Sequence, residues 1–292
     1  MSRIVVILNP AARGEKAKTL WEKVRRLSED ALVRITTEAG EARELAQQAV
    51  QHGCEIVVAA GGDGTVNEVV NGISGSGVAL GLLPIGTMNV FAAELGIPAN
   101  NLRKCWEIIE AGNVREVDLP VANRHSFVQL AGIGFDAQIV QETSRDFRKN
   151  FGPLSYLVTA TQIASRKPPN LIVEANGKQK KGSFVLIGNG RYYGGPFVLF
   201  NDAKVDDGKL DVLIFKNLGY LDIVRYLSGI VFGKHVDMHD VEYFQTKKVV
   251  VRGAAENLVE VPVEVDGEVI GKLPVTFRMS HRKLKVVSPE ME

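Results

Sequence analysis

The residues best equipped for chemistry are Gly61, Gly62, Asp63, Gly64 and Thr65. They lie between the apolar run Ile56 to Ala60 and a segment carrying Val66, Val69 and Val70 at helical spacing. A buried strand that passes through glycines into a helix N-terminus makes an anion site, because unpaired N–H groups and the positive dipole end point to one spot. Glycine permits positive φ and lets backbone approach a ligand closely, and Thr65 and Asn67 are the expected caps. An acid inside such a turn makes chemical sense when a divalent cation accompanies the phosphates. For a bare Gly-Gly-x-Gly the alternative is a tight turn with an incidental acid. Two more constellations, Asp207-Gly208 and Asp266-Gly267-Glu268, read from residue type as turns. The second sits between alternating apolar residues, the pattern of a hairpin whose tip carries Asp266 and Glu268.

The elements that must position these residues follow from periodicity. Arg3 to Leu8, Leu32 to Thr36, Ile56 to Ala60 and Val78 to Leu83 read as strands, separated by helical patterns over Lys16 to Ser28, Thr37 to His52 and the segment after Gly64. Ala99 to Gly112 is a further helix, with Leu102, Trp106, Ile108 and Ile109 as core. This βα alternation stops near residue 112. Val114 to Leu119 and Ser126 to Leu130 read as strands, and Tyr156 to Ala164 as an apolar helix. From Asn170 the period changes to short strands and glycine turns: Leu171 to Ala175 with Lys181 to Ile187, Lys209 to Phe215, Lys247 to Val251, Val261 to Val265 with Glu268 to Ile270, Val275 to Met279, and Leu284 to Val287. An antiparallel sandwich is the expectation, with a helical insertion over Leu218 to Phe232. The expected division is 1–125, 126–280 and a final strand, 281–292, returning to the first domain.

Composition bounds the class. The chain has 292 residues, 45% hydrophobic and 24% charged, with a net charge of +1, so no overall field favours nucleic acid. Cys54 and Cys105 lack metal-ligand spacing and fit a reduced intracellular protein. No stretch reaches the ~20 apolar residues of a membrane-spanning helix, and the N-terminus enters a strand at once, which leaves no room for a signal peptide.

Gly-Gly-Asp-Gly-Thr followed by Asn67-Glu68-Val69-Val70-Asn71-Gly72 closely resembles the nucleotide-binding signature of the soluble diacylglycerol kinase and sphingosine kinase family. The Gly-Gly-Asp-Gly core is shared with NAD kinases and resembles phosphofructokinases; the Asn-Glu…Asn-Gly extension favours the lipid-kinase branch. Asn9-Pro10-Ala11-Ala12-Arg13-Gly14 resembles the family's opening phosphate-binding loop, with Arg13 at the usual small position. Pro84 to Ala92, with Gly86, Thr87 and Asn89, resembles its second nucleotide motif, although Val90 replaces the acid often found there. The resemblance implies an α/β N-terminal domain with a parallel, NAD kinase-like or phosphofructokinase-like sheet, joined to a C-terminal antiparallel β-sandwich.

The resemblance also implies roles. ATP would be held by Asn9, Pro10, Ala11, Ala12, Arg13, Thr36, Gly61, Gly62, Asp63, Gly64, Thr65, Asn67, Glu68, Gly86, Thr87 and Asn89, with Asp63 acting through Mg²⁺. Thr36 has the family's spacing to Ala42; Thr37 is one residue off, and a helix-cap hydroxyl is the alternative. Asp118 corresponds to an acid linked through water to the metal network. A structural Mg²⁺ would take the Asp207 carboxylate and the carbonyls of Lys204 and Lys209, a role in which lysine side chains take no part. Asp-Gly-Glu at 266–268 would lift its acids into the interdomain cleft, Glu268 as general base and Asp266 as runner-up. Arg148 or Lys149 corresponds to a basic residue that reaches phosphate.

The implied reaction is ATP- and Mg²⁺-dependent phosphorylation of a lipid alcohol, most simply diacylglycerol to phosphatidic acid. A sphingoid base or another lipid alcohol, NAD, and non-catalytic nucleotide or lipid sensing are the rivals. The implied setting is cytoplasmic, with visits to the inner membrane face for the lipid; paired edge strands would allow a homodimer.

Overall fold

A computed structural model describes residues 3–10, 17–142, 168–195, 197–255 and 260–290. Ala11, Ala12, Arg13, Arg148, Lys149 and the expected helix over 156–164 lie outside these residues. The chain divides into two compact units: Met1–Leu119 with Gly194–Pro196 and Ser280–Glu292, and Pro120–Tyr193 with Phe197–Met279.

In the first unit, strands β1 (Ile4–Leu8), β2 (Leu32–Ile35), β3 (Ile56–Gly61) and β4 (Ala79–Pro84) run parallel in the order β2-β1-β3-β4. β3 and β4 are buried at every position, as a parallel strand covered on both faces requires. The helices are α1 (Ala17–Leu27), α2 (Glu41–Gln51), α3 (Asp63–Ile73), α4 (Val90–Glu94) and α5 (Leu102–Ala111). α2 buries Ala42, Ala46 and Ala49, and α3 buries Val66, Val69, Val70 and Ile73. The two helices touch at Gly72, where a Cβ would come within 2.6 Å of the Ala46 methyl.

α2 starts at Glu41, four residues later than the apolar pattern predicts. Gly40 has φ 90°, and the Glu41 carboxylate accepts the Thr37 N–H (2.6 Å) and hydroxyl (2.9 Å), which makes 37–40 a turn. These bonds also hold the Glu41 carboxyl below its ordinary pKa.

Strand β5 (Val114–Ala122) leads into the second unit, where it pairs with β6 (His125–Ser126). There follow β7 (Leu130–Ile133), α6 (Phe135–Glu142), β8 (Leu171–Ala175), β9 (Lys178–Gly182), β10 (Phe184–Gly188), β11 (Tyr192–Tyr193), β12 (Phe197–Val198), β13 (Leu210–Phe215), α7 (Tyr220–Val231), β14 (Val241–Thr246), β15 (Lys248–Gly253), β16 (Pro262–Val265), β17 (Glu268–Lys272) and β18 (Val275–Val287). One sheet has the order β14-β13-β10-β7-β16-β17; β18, β15, β8 and β9 form the facing layer.

Side chains alternate as pleating demands. Val185, Ile187, Val212 and Ile214 join Leu171, Val173, Val249, Val251 and Phe277 in the core between the layers. Phe184, Leu186, Leu213 and Phe215 point the other way, onto α6 and α7. That second apolar face explains why β10 and β13 are buried throughout.

Three expectations are corrected. Ser126 to Leu130 is not one strand, because the N–H groups of 128–130 are taken by a side chain. Lys181 to Ile187 breaks at Ser183, so β9 closes the Asn176-Gly177 hairpin while β10 joins the other sheet. The two expected closing strands are one, β18: Val275 pairs with Val251, and Val286 runs parallel to Leu80, which returns the chain to the first unit as expected. β14 was invisible to the pattern because its exposure does not alternate.

Candidate active site

β3 ends at Gly61, Gly62 is the N-cap, and α3 begins at Asp63. The expected caps do not act as caps: no side chain caps this helix, and Thr65 and Asn67 lie inside it, buried. Nor do these glycines serve positive φ, which Gly61, Gly62 and Gly64 do not adopt. Gly61 answers crowding instead, as does Gly86 across the junction. A Cβ on Gly61 would lie 2.3 Å from the Thr65 hydroxyl oxygen. A Cβ on Gly86 would lie 2.4 Å from the Gly62 Cα. Two strand ends, β3 and β4, therefore cross on bare backbone.

The crossing is pinned from both sides. Ile85 and Gly86 donate their N–H groups to the Gly61 carbonyl at 3.0 and 3.2 Å. Asn89, at φ 50°, accepts the Gly86 N–H and donates to the Gly86 carbonyl, both at 2.9 Å. The Asn9 amide donates to the Thr65 hydroxyl at 3.0 Å, which ties the end of β1 to α3. The buried Thr36 continues β2, donating its N–H to the Leu8 carbonyl at 2.9 Å. A helix N-terminus presents N–H donors that have no partner within the helix. At a junction this tight and this poor in side chains, the donor set fits the oxygens of a polyphosphate.

The assigned side chains differ in setting. The Phe91 N–H, in α4, points at Asp63 Oδ1 from 3.4 Å. Glu68 accepts the N–H groups of Gly40 (2.9 Å) and Ala42 (3.0 Å), so it caps α2. Asn71 donates to both the carbonyl and the side-chain oxygen of Asn67, fixing that amide. Thr87 is exposed and Val90 buried. Asp118 is buried and accepts an ion-pair bond from Lys283, a partner 165 residues away that periodicity does not reveal.

In the second unit, Asp266 and Gly267 take φ 47° and 85° at the β16–β17 turn, the twist a two-residue hairpin needs. The Asp266 carboxylate accepts the N–H groups of Val128 (2.8 Å), Gln129 (3.0 Å) and Leu130 (3.0 Å). Glu268 is exposed at the start of β17. Residue type and spacing do not single out Glu264, whose buried carboxylate accepts the Gly267 N–H at 2.8 Å.

Lys204, Asp207 and Lys209 line a cavity of about 520 Å³ together with Arg191, Asp202 and Gln245. Asp207 accepts the Lys209 N–H at 3.0 Å. Beside it, Asp211 is fully buried; Tyr243 and Gln245 donate to its Oδ1, while its Oδ2 has no hydrogen-bond donor. Burial, with the nearby Asp207 and Asp202 charges, pushes the Asp211 carboxyl up. A bound hard cation would relieve that concentration of negative charge, so the residues present fit the expected ion. Among the described residues no cluster of three His, Cys, Asp or Glu side chains forms a metal cage. Ligation by one carboxylate and two carbonyls needs none.

The chain is similar to known proteins along most of its length. Residues 3–122 match the diacylglycerol kinase catalytic domain, and residues 129–288 match the YegS C-terminal NAD kinase beta sandwich-like domain. The chain is 28% identical over 299 residues to a diacylglycerol kinase of Bacillus subtilis strain 168, covering 99% of this chain and 97% of that one. It is 29% identical over 296 residues to a diacylglycerol kinase of Staphylococcus aureus strain bovine RF122, covering 98% and 92%. A crystal structure of a diacylglycerol kinase from Bacillus anthracis strain Sterne shares the fold, with a TM-score of 0.77 at 24% identity over 99% of this chain and 97% of that one. Glycine crossing, sandwich and matched domains together place the chain: it belongs to the diacylglycerol kinase catalytic-domain family with a YegS-type C-terminal sandwich, and it is a lipid kinase.

Proposed function

We propose that the enzyme transfers the γ-phosphoryl group of ATP to the hydroxyl of diacylglycerol, giving phosphatidic acid, at the inner face of the membrane. The observation that carries this reading is the bare-backbone crossing of Gly62 and Gly86 beside the helix that starts at Asp63. ATP with Mg²⁺ would supply the phosphoryl group and neutralise its oxygens. The chain's own residues divide the remaining work. Main-chain N–H groups at 62–65 bind phosphate oxygens, and Asp63 offers its carboxylate to the cation. Asn9 and Asn89 hold the loops around them, with the Thr36 and Thr87 hydroxyls at neighbouring strand ends.

Glu268 orients the acceptor hydroxyl and takes its proton late; such a base contributes ~10²–10⁴-fold. Asp266 holds the hairpin that carries it. Asp207, with the carbonyls of Lys204 and Lys209, holds a structural Mg²⁺. Residues 1–125 serve the nucleotide, residues 126–280 the lipid, and 281–292 complete the first domain.

Val90, buried at the place where the resembling motif has an acid, favours one second reading: a different lipid alcohol, such as a sphingoid base. Labelled ATP offered with diacylglycerol, sphingosine, ceramide, monoacylglycerol, polyprenol and NAD separates these. We expect diacylglycerol to be labelled at least ~10-fold faster than the others. Preferential labelling of sphingosine would move the substrate to the second reading. Labelling of NAD alone, or of nothing, would contradict both.

A further inference from the structure

The sandwich carries an outward surface that the catalytic residues leave unused. In the layer of β18, β15, β8 and β9, the side chains of Val173, Val249, Val251 and Phe277 point into the core. Their neighbours along each strand point outward, because side chains alternate across a strand. Those neighbours include Glu174 on β8, Lys248 and Arg252 on β15, and Arg278 on β18; Lys181 on β9 lies opposite the outward Ile172. Lys248 and Arg278 stand directly opposite each other across the ladder, and like charges placed so destabilise a sheet. Glu174 is taken by Arg252, at 2.8 and 3.1 Å, and by Gln179 at 3.2 Å. Where the β8–β9 turn meets the β14–β15 corner, a recess of about 650 Å³ is lined by Glu174 and by Lys178, Lys247 and Lys248. Lys178, Lys181, Lys247, Lys248 and Arg278 are exposed, and among the described residues no acid pairs with them. With Arg252 they make six cations against Glu174, an excess of five positive charges (six minus one) in a chain whose total is +1.

We infer that this outward sheet surface, with its lysine-lined recess, is where the enzyme meets the phosphate headgroups of an anionic phospholipid bilayer. The inference rests on the lipid-substrate reading above and names a surface for it: among the described residues no helix is long and apolar enough to cross a membrane. The charges next to this surface do not cancel the excess. Lys180 and Lys216 share Glu242, which adds one positive charge (two lysines, one glutamate). Around the cavity at 202–209, Arg191, Lys204 and Lys209 balance Asp202, Asp206 and Asp207.

Charge also selects the occupant. A second copy docked symmetrically would set this surface against itself, five positive charges against five. Nucleic acid is read by aromatic rings that stack on bases or by an element that enters a groove. Between these cations stand Ile172, Val250 and Thr276, on strands of a sheet, with no ring among them. Lysines on flexible stems, spread over four strands, suit phosphates that move laterally and hold no fixed geometry. Each such cation at an anionic lipid surface contributes about fivefold in affinity.

The test is co-sedimentation of the full-length protein with vesicles of equal parts phosphatidylcholine and phosphatidylglycerol, and with vesicles of phosphatidylcholine alone. We expect wild type to favour the anionic vesicles and high salt to release it. Lys248→Gln/Arg278→Gln should lower the partition coefficient on anionic vesicles at least ~10-fold. Arg103→Gln/Lys104→Gln removes the same charge from exposed positions of α5 and should stay within about twofold of wild type. The melting temperature of the Lys248/Arg278 variant should hold or rise, because a repulsion across the ladder is removed. Its turnover of short-chain dioctanoylglycerol without vesicles should be unchanged, while turnover of long-chain diacylglycerol in anionic vesicles falls with binding. Partition of that variant equal to wild type would overturn the inference, and so would an equal loss in the α5 variant, which would make the effect one of total charge. Wild-type binding to single-stranded DNA but not to anionic vesicles would assign the surface to nucleic acid and overturn it too. If wild type phosphorylates no diacylglycerol of any chain length, the substrate reading fails while the partition result still decides this surface.

Discussion

Two Asp-Gly pairs, Asp63-Gly64 and Asp266-Gly267, look alike on paper and sit in opposite kinds of turn. The first opens a helix where two strand ends cross without side chains, and the Phe91 N–H approaches its carboxylate at 3.4 Å. The second sits in left-handed conformation at a hairpin tip, and its carboxylate gathers three backbone N–H groups at 2.8–3.0 Å. The helix-opening turn is shaped by the atoms it omits. The hairpin turn is shaped by the atoms its acid holds. An acid beside glycine is therefore understood through its hydrogen-bond partners, and those of Asp266 lie about 137 residues away.

The contrast breaks most easily at Asp266. Asp266→Ala strands three N–H groups that were bonded to a charged oxygen, so unfolding free energy should fall by about 4 kcal/mol. Urea denaturation measures it; a loss below about 1 kcal/mol would put Asp266 outside the framework. On the other side, Gly86→Ala drives a methyl to 2.4 Å from the Gly62 Cα. Both strand ends must move, at a cost of about 3 kcal/mol, and ATP binding should weaken with it. Calorimetric titration with ATP reads the second effect, and wild-type affinity would show that the crossing does not matter to the nucleotide.

Asp240 sharpens the comparison as another framework acid. Arg225, then the Tyr226 hydroxyl and Asn217, hold its carboxyl far below the ordinary aspartate range. A depressed folded-state pKa gives stability that is present above the unfolded value of about 3.9 and lost as pH falls below it. Asp240→Asn should therefore cost about 2 kcal/mol at pH 7. That difference from wild type should shrink as pH is lowered from about 4 toward 2. Urea midpoints across that range check the sign; a gap that widens in acid would reverse the assignment.

Much of this was legible in advance. Uniform apolar runs such as Ile56 to Ala60 gave the parallel strands, and Asn176-Gly177 and Asp266-Gly267 gave hairpins, because turn chemistry and burial act locally. What stayed hidden was long-range. Glu68 is indistinguishable in sequence from a ligand-binding acid until the N–H groups of Gly40 and Ala42 appear beside it. The glycines at 61 and 62 suggested unusual φ, whereas their reason is crowding by Thr65 and by Gly86, which no single segment encodes. The joining of two short apolar runs into β18 depended on partners in different parts of the chain.

We propose that Asp63, and not Asp266, faces the chemistry. It is tested most directly by measuring Mg²⁺-dependent phosphorylation of diacylglycerol by Asp63→Asn, with its melting temperature recorded alongside. We expect a rate lower by ~10³-fold, about 4 kcal/mol of barrier, in a protein that melts as wild type does. A variant that turns over at the wild-type rate, or one that loses activity only because it unfolds, would contradict it.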